Sequence, residues 1–239
     1  MNFLGVPLQE ILIRIPVLLI VLTVHEVAHG YIAMRLGDPT ARNLGRLSLN
    51  PLRHLDPIGA ICMLLFRFGW AKPVPVNTRY FKNPKRDMAL CAAAGPASNF
   101  IMAFIGVVLF YFSAYFIGFR GDGISIVLRY SVLDRLLSDI AFVERLKFVW
   151  LLFLQSFVFM SLSLGLFNLI PVPPLDGSRI FLQFLPAKYY FAVMKYEQYI
   201  MLGLFFLLWR TDIISYPLSK LLNLILDAFE WIVSLIPIF

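Results

Sequence analysis

Four stretches of this chain are apolar for longer than a soluble core element requires, and that length dictates what must surround them. Residues 8 to 34 read LQEILIRIPVLLIVLTVHEVAHGYIAM; residues 88 to 118 and 147 to 169 are comparable, and a fourth run covers roughly 190 to 210. About 24 helical residues of the first run would extend about 36 Å, enough to cross a bilayer with some tilt. Of the 239 residues, 60% are hydrophobic and 15% are charged, against about 45–50% apolar in an ordinary soluble domain. A disordered chain is excluded, and the composition argues against a water-soluble globule. The expected fold is an all-α polytopic membrane protein with four to six transmembrane helices, counted from these runs. The first run is retained rather than cleaved, because no basic residue precedes Arg14, no small-x-small site follows, and polar HEVAH interrupts its end.

The charges sort the connections. Residues 35 to 86 hold ten of the 21 basic residues against Asp38 and Asp56, a net of +8. Short connections rich in Lys and Arg stay on the cytoplasmic side, so this segment is expected there. Within it LGRLSL alternates like a short strand and IGAICMLLFRFGW is too short to span comfortably, which predicts a re-entrant or β-hairpin segment near residues 44 to 80. Residues 120 to 147 then face outside, and RYSVLDRLLSDIAFVERLKF has the spacing of an interfacial helix. From 213 to 239 the polar residues Lys220, Asn223, Asp227, Glu230 and Ser234 recur three or four apart. That stripe fits either a last spanning helix with its polar side turned inward or an amphipathic helix on the membrane. Cys62 and Cys91 make no ligand spacing and are expected as buried or lipid-facing thiols.

The first run ends in His25-Glu26-Val27-Ala28-His29. Histidines four apart on a helix share one face, so both imidazoles can hold one zinc ion, while Glu26 on the adjoining face reaches a metal-activated water without ligating. Deprotonating that water is how such sites hydrolyse amides at neutral pH. The competing reading, two interfacial histidines beside a solvated glutamate, is disfavoured by location. An ionisable side chain in a membrane helix costs about 2.5–3.5 kcal/mol and usually marks a functional site.

A hydrolytic zinc site wants a third protein ligand and an open position. His54 and Asp56 lie in RHLDP, a basic, proline-bounded loop where a surface histidine and a turn aspartate are the simpler reading. Asp176 lies in Asn168-Leu-Ile-Pro-Val-Pro-Pro-Leu-Asp176-Gly177, where three prolines enforce an extended exit from the third run and the glycine permits a sharp turn. The third run emerges on the side where the first ends, which brings Asp176 to the depth of His25 and His29. The simpler alternative for Asp176 is a helix cap for SRIFLQFL.

These residues resemble the site-2 protease family (peptidase M50) of intramembrane zinc metalloproteases. HEVAHG is similar to its first motif, NLIPVPPLDG to the motif that brings its third ligand, and AAAGPASN at residues 92 to 99 to its Gly-Pro-x-x-Asn element. The resemblance implies one zinc ion per chain on His25, His29 and Asp176, with Glu26 as the catalytic base. It further implies that Asn168 and Asn99 orient the substrate backbone or donate to the developing oxyanion, although helix packing would explain either amide. An external connection of about 28 residues is too short for a PDZ domain, and no cystathionine-β-synthase pair is expected. A compact, single membrane-embedded domain over 1–239 follows, with the catalytic core over about 8–185 and C-terminal helices over about 190–239.

The implied function is a zinc-dependent endopeptidase acting in or near transmembrane segments of other proteins, in the cell membrane, with its active site near the cytoplasmic face. Its partners are transmembrane substrates and the lipid bilayer. A divalent-metal transporter or zinc-binding scaffold is the alternative, since His and Asp clusters also line ion pathways, but a transporter needs no glutamate inside HExxH. The basic segment contains no recognisable nucleic-acid module, and no nucleic-acid partner is expected.

Overall fold

The computed structural model describes residues 2–3, 6–56, 72–119, 122–129 and 142–236. A two-residue antiparallel ladder, β1 (Asn2–Phe3) on β2 (Val6–Pro7), precedes the helices. The first long helix, α1, runs Leu8–Arg35 with Pro16 inside it. It is followed by the single turn α2 (Thr40–Asn43) and by α3 (Pro84–Ile117), which contains Pro96. Next come α4 (Asp122–Arg129) and α5 (Phe142–Asn168), then the short α6 (Asp176–Phe181). The chain ends in α7 (Ala187–Lys195), α8 (Glu197–Arg210) and α9 (Ser215–Ser234).

Three segments among the described residues, 12–35, 84–117 and 145–168, are long and apolar enough to cross a membrane. Only 28%, 39% and 50% of their most apolar windows are buried. Much of their hydrocarbon therefore faces outward, a surface that lipid accepts and water does not. The protein is an all-α membrane protein. The run near 190–210 is divided at Tyr196, so α8 has 14 residues and reaches about 21 Å, short of a bilayer core. The break places Glu197 at the start of α8, where its carboxylate accepts from Arg179 at 3.1 Å.

Residues 57–71, which include Cys62 and the whole IGAICMLLFRFGW piece, lie outside the described residues, as do 130–141 of the expected interfacial helix. LGRLSL does not form a paired strand. Gly45 adopts φ +63°, a left-handed conformation that interrupts the strand alternation.

The chain divides into two compact units. One comprises residues 1–18, 100–163 and 219–239. Its core joins Ala103, Val107 and Phe110 of α3 to Ile124 and Leu128 of α4, Leu151, Leu154 and Val158 of α5, and Leu226 and Val233 of α9. Gly106 permits the close approach of α3 and α5, since a Cβ there would stand 2.8 Å from Val158 Cγ2. On α9, Glu230 is turned inward and accepts from Arg129 and from Ser125 Oγ (2.9 Å), while Asp227 accepts a second bond from Arg129. Lys220 and Asn223 remain exposed, so only part of the polar stripe faces the core. The Glu230 bond, ahead of the smaller effect of Asp227, holds the Arg129 guanidinium charged well above its usual range.

The other unit comprises residues 19–99 and 164–218 and contains every residue singled out for chemistry. Asp38, fully buried, organises the turn after α1: it accepts from Thr40 N–H at 2.9 Å, from the Thr40 hydroxyl, and from Asn77 N–H at 2.6 Å. Ala33, Phe81 and Cys91 make a small core beneath that turn.

Candidate metal centre

Helix periodicity brings His25 and His29 onto one face of α1, and their Nε2 atoms stand 3.0 Å apart. Asp176 is the first residue of α6, and its Oδ2 lies 3.2 Å from His25 Nε2 and 3.3 Å from His29 Nε2. Asp176 does not cap α6. The cap position is Leu175, without a side-chain bond, and the buried Oδ2 of Asp176 has no hydrogen-bond partner. Asp176 thus presents a buried carboxyl oxygen to both imidazoles.

The ring nitrogens opposite the cluster fix the tautomers. His29 Nδ1–H donates to the Cys91 carbonyl at 2.8 Å. His25 Nδ1 faces Nδ2 of the Asn99 side-chain amide at 3.1 Å, and the Oδ1 of that fully buried amide has no partner. Turning the amide over about its terminal bond puts its carbonyl toward the ring, where Asn99 accepts the His25 Nδ1–H and the orphaned oxygen gains a donor. Both Nε2 lone pairs and one carboxylate oxygen then converge with no donor between them. That arrangement is unfavourable alone and is what a cation relieves. Tetrahedral donors about 2.0–2.2 Å from zinc stand roughly 3.3–3.6 Å apart, close to the separations here. The three side chains therefore fit zinc; among the described residues they are the group whose donor atoms gather within 4.8 Å.

Two glycines make room for this geometry. A Cβ on Gly95 of α3 would lie 2.4 Å from His29 Nε2 and 2.6 Å from His25 Cε1. Pro96 follows it and withholds the N–H that the Ala92 carbonyl would otherwise accept. A Cβ on Gly177 would lie 2.2 Å from the Leu169 carbonyl oxygen, so only glycine lets α6 sit against the end of α5 and present Asp176. The Pro173–Pro174 peptide between them is cis.

A cavity of about 330 Å³ opens on the cluster, lined by His25, Glu26, His29, Val74, Asn168 and Asp176 among others. Glu26 Oε2 accepts from Val74 N–H at 2.8 Å. Asn168 lines the cavity and donates Nδ2–H to the Leu164 carbonyl at 2.9 Å. The geometry separates the two amides: Asn168 faces the cavity, and Asn99 backs a histidine instead. His54 is elsewhere, buried with Nε2 against the Ser48 carbonyl at 2.8 Å, and neither it nor Asp56 belongs to the metal cluster. Residue spacing did not announce the roles of Val74, Cys91 and Gly95. Pro73 and Pro75 around Val74 were the one local signal of an extended segment, and they say nothing about where it lies.

Two imidazoles and a carboxylate, with a glutamate in the same cavity, are the donor set of zinc-dependent hydrolases. The family model described as "Peptidase family M50" matches residues 13–209, and the chain belongs to that family, as a metalloprotease. A Bacillus subtilis (strain 168) protein named "Putative zinc metalloprotease YwhC" is 38% identical over 223 residues, covering 93% of this chain and 91% of that one. A Mycolicibacterium smegmatis protein named "Putative zinc metalloprotease Rip2" is 31% identical over 88 residues, 34% of this chain and 33% of its own. No solved structure matches the chain.

Proposed function

We propose that this metalloprotease is an intramembrane endopeptidase that hydrolyses peptide bonds in or near transmembrane segments of other membrane proteins. One zinc ion per chain is held by His25, His29 and Asp176. The observation that carries the reading is the convergence of three acceptor atoms 3.0 to 3.3 Å apart beside a cavity that Glu26 also lines.

Zinc, when bound, would supply Lewis-acid polarisation of a water and lower its pKa toward about 7. Glu26 takes a proton from the attacking water and hands it to the departing amine, the two halves of general acid–base catalysis by one carboxyl group. In this reading Asn168, which lines the cavity, bonds the substrate backbone or the developing oxyanion. Asn99, the residue behind His25, orients that ligand and is not a donor to substrate. The net +8 of residues 35 to 86 supports a cytoplasmic position for that segment in the cell membrane and, with it, an active site near the cytoplasmic face.

The test uses the full chain in detergent micelles with a fluorophore–quencher peptide built around a Leu/Ala-rich membrane segment interrupted by Asn-Gly. The expected result is zinc near one per chain in both wild type and Glu26→Gln, with cleavage by the wild type alone. Cleavage retained in Glu26→Gln, or no cleavage by zinc-loaded wild type, overturns the reading.

A further inference from the structure

The segment from Lys72 to Asn77 has neither helix nor ladder bonds, yet five of its main-chain groups are held by residues remote in sequence. Lys72 N–H donates to the His54 carbonyl at 2.8 Å. The Lys72 and Pro73 carbonyls accept from Arg46 Nη2 at 2.5 and 3.2 Å. Asn77 N–H donates to Asp38 Oδ2 at 2.6 Å. Pro73 and Pro75 have no N–H, so Val74 offers the one main-chain donor between them, and that donor goes to Glu26 Oε2 at 2.8 Å. The segment is also seated sideways: a Cβ on Gly30, one helical turn beyond Glu26, would come within 2.9 Å of Val74 Cγ1 and 2.7 Å of Leu47 Cδ2.

Arg46 is 8% exposed. Its Nη1 donates to the Arg53 carbonyl, so the guanidinium spends its bonds on three carbonyl oxygens. Among the described residues no carboxylate pairs with it, and a buried cation so placed gains little net stability from such bonds, because desolvation offsets most of them. Its effect is geometric: a planar fork sets two chain segments at one separation, which an ammonium group cannot reproduce.

We propose that Arg46 is a positioning residue for the catalytic base: by clamping the Lys72 and Pro73 carbonyls it delivers the Val74 N–H to Glu26, which holds one carboxylate oxygen still and leaves the other to take the proton. This rests on the reading of Glu26 as the base. The linkage runs from Arg46 through the main chain to Glu26, with Asp38 anchoring the far end of the segment.

Two measurements on the full chain in micelles test it. In hydrogen–deuterium exchange, the stretch 73 to 76 carries two exchangeable amides, those of Val74 and Val76. Arg46→Lys and Glu26→Ala should each speed exchange at Val74 about tenfold or more, with Asn77 unchanged. With the membrane-segment peptide as probe, Arg46→Lys should lower kcat about 10–100-fold, the range typical of groups supporting a catalytic ligand, with KM and zinc content as in wild type. Should Arg46→Lys fail to fold, Val74→Pro, which removes the donor, should lose about tenfold more kcat than Val74→Ala, which keeps it. Wild-type exchange at Val74 in either Arg46→Lys or Glu26→Ala overturns the proposal. So do loss of zinc from Arg46→Lys, which would mark a merely structural role, and equal activity of the two Val74 variants. Cleavage by Glu26→Gln would instead overturn the functional reading, and the exchange arm is independent of cleavage.

Discussion

The main chain of Gly95 lies so close to His29 that a single methyl group would stand 2.4 Å from its Nε2. The flexible end of a side chain could move aside, but both imidazoles are fixed from behind, His29 by the Cys91 carbonyl and His25 by Asn99. Gly95→Ala should therefore lower zinc content from near one per chain to below about a tenth, since donor displacements of this size exceed the ±0.2 Å tolerance of a zinc site. Elemental analysis of the purified variant, with circular dichroism to establish retained helicity, decides it. Stoichiometric zinc in the folded variant would contradict the packing.

Asn99 is distinguished from a substrate-binding residue by which quantity it moves. Replacing it with Leu leaves the His25 Nδ1–H unpaired and should weaken zinc affinity about 10–100-fold. Asn99→Asp keeps an acceptor and should lose much less. Zinc titration against a competing chelator reads both variants. A role in substrate binding would instead change KM at constant zinc affinity.

Gly177 meets backbone, not side chain, at the end of α5. Gly177→Ala must move α6 and with it Asp176, so zinc should be lost together with activity. Restoration of wild-type cleavage by excess zinc would count against this account, because a displaced ligand is not recovered by mass action at ordinary metal concentration.

Metal and fold are linked. A ligand that binds only the folded protein stabilises it by RT ln(1 + [L]/Kd), about 4 kcal/mol at a thousandfold excess over Kd. Zinc removal by chelation should lower the thermal midpoint of the wild type in micelles by several degrees. The same treatment should leave Asp176→Ala almost unmoved.

In the other unit, Glu230 accepts from Arg129 and Ser125 while only 11% exposed. Glu230→Gln keeps the shape and removes the charge. The expected loss is about 1–2 kcal/mol, discounted from the range for charged hydrogen bonds because Arg129 is partly exposed and retains Asp227. Zinc content should not change, which a thermal melt and a metal assay on one sample establish.

Some of this was legible in the sequence. His25 and His29 converge because a helix turns every 3.6 residues, and Glu26 follows them for the same reason. The length of the apolar runs required a membrane, and the prolines before Asp176 required an extended exit. The division of the last long run at Tyr196 was not legible, because hydropathy carries no signal for a break where the residues on both sides still favour helix.

Local periodicity thus decided the first two candidate ligands, the helical class and the membrane. The tertiary structure decided which distant carboxylate joins them, that Gly95 must be bare, that Asn99 faces a histidine rather than the cavity, and that Val74 holds Glu26. Each of those is a contact between segments remote in sequence. Spacing along the chain constrains only neighbours, whereas these contacts depend on how closely main chains approach, a quantity set by packing.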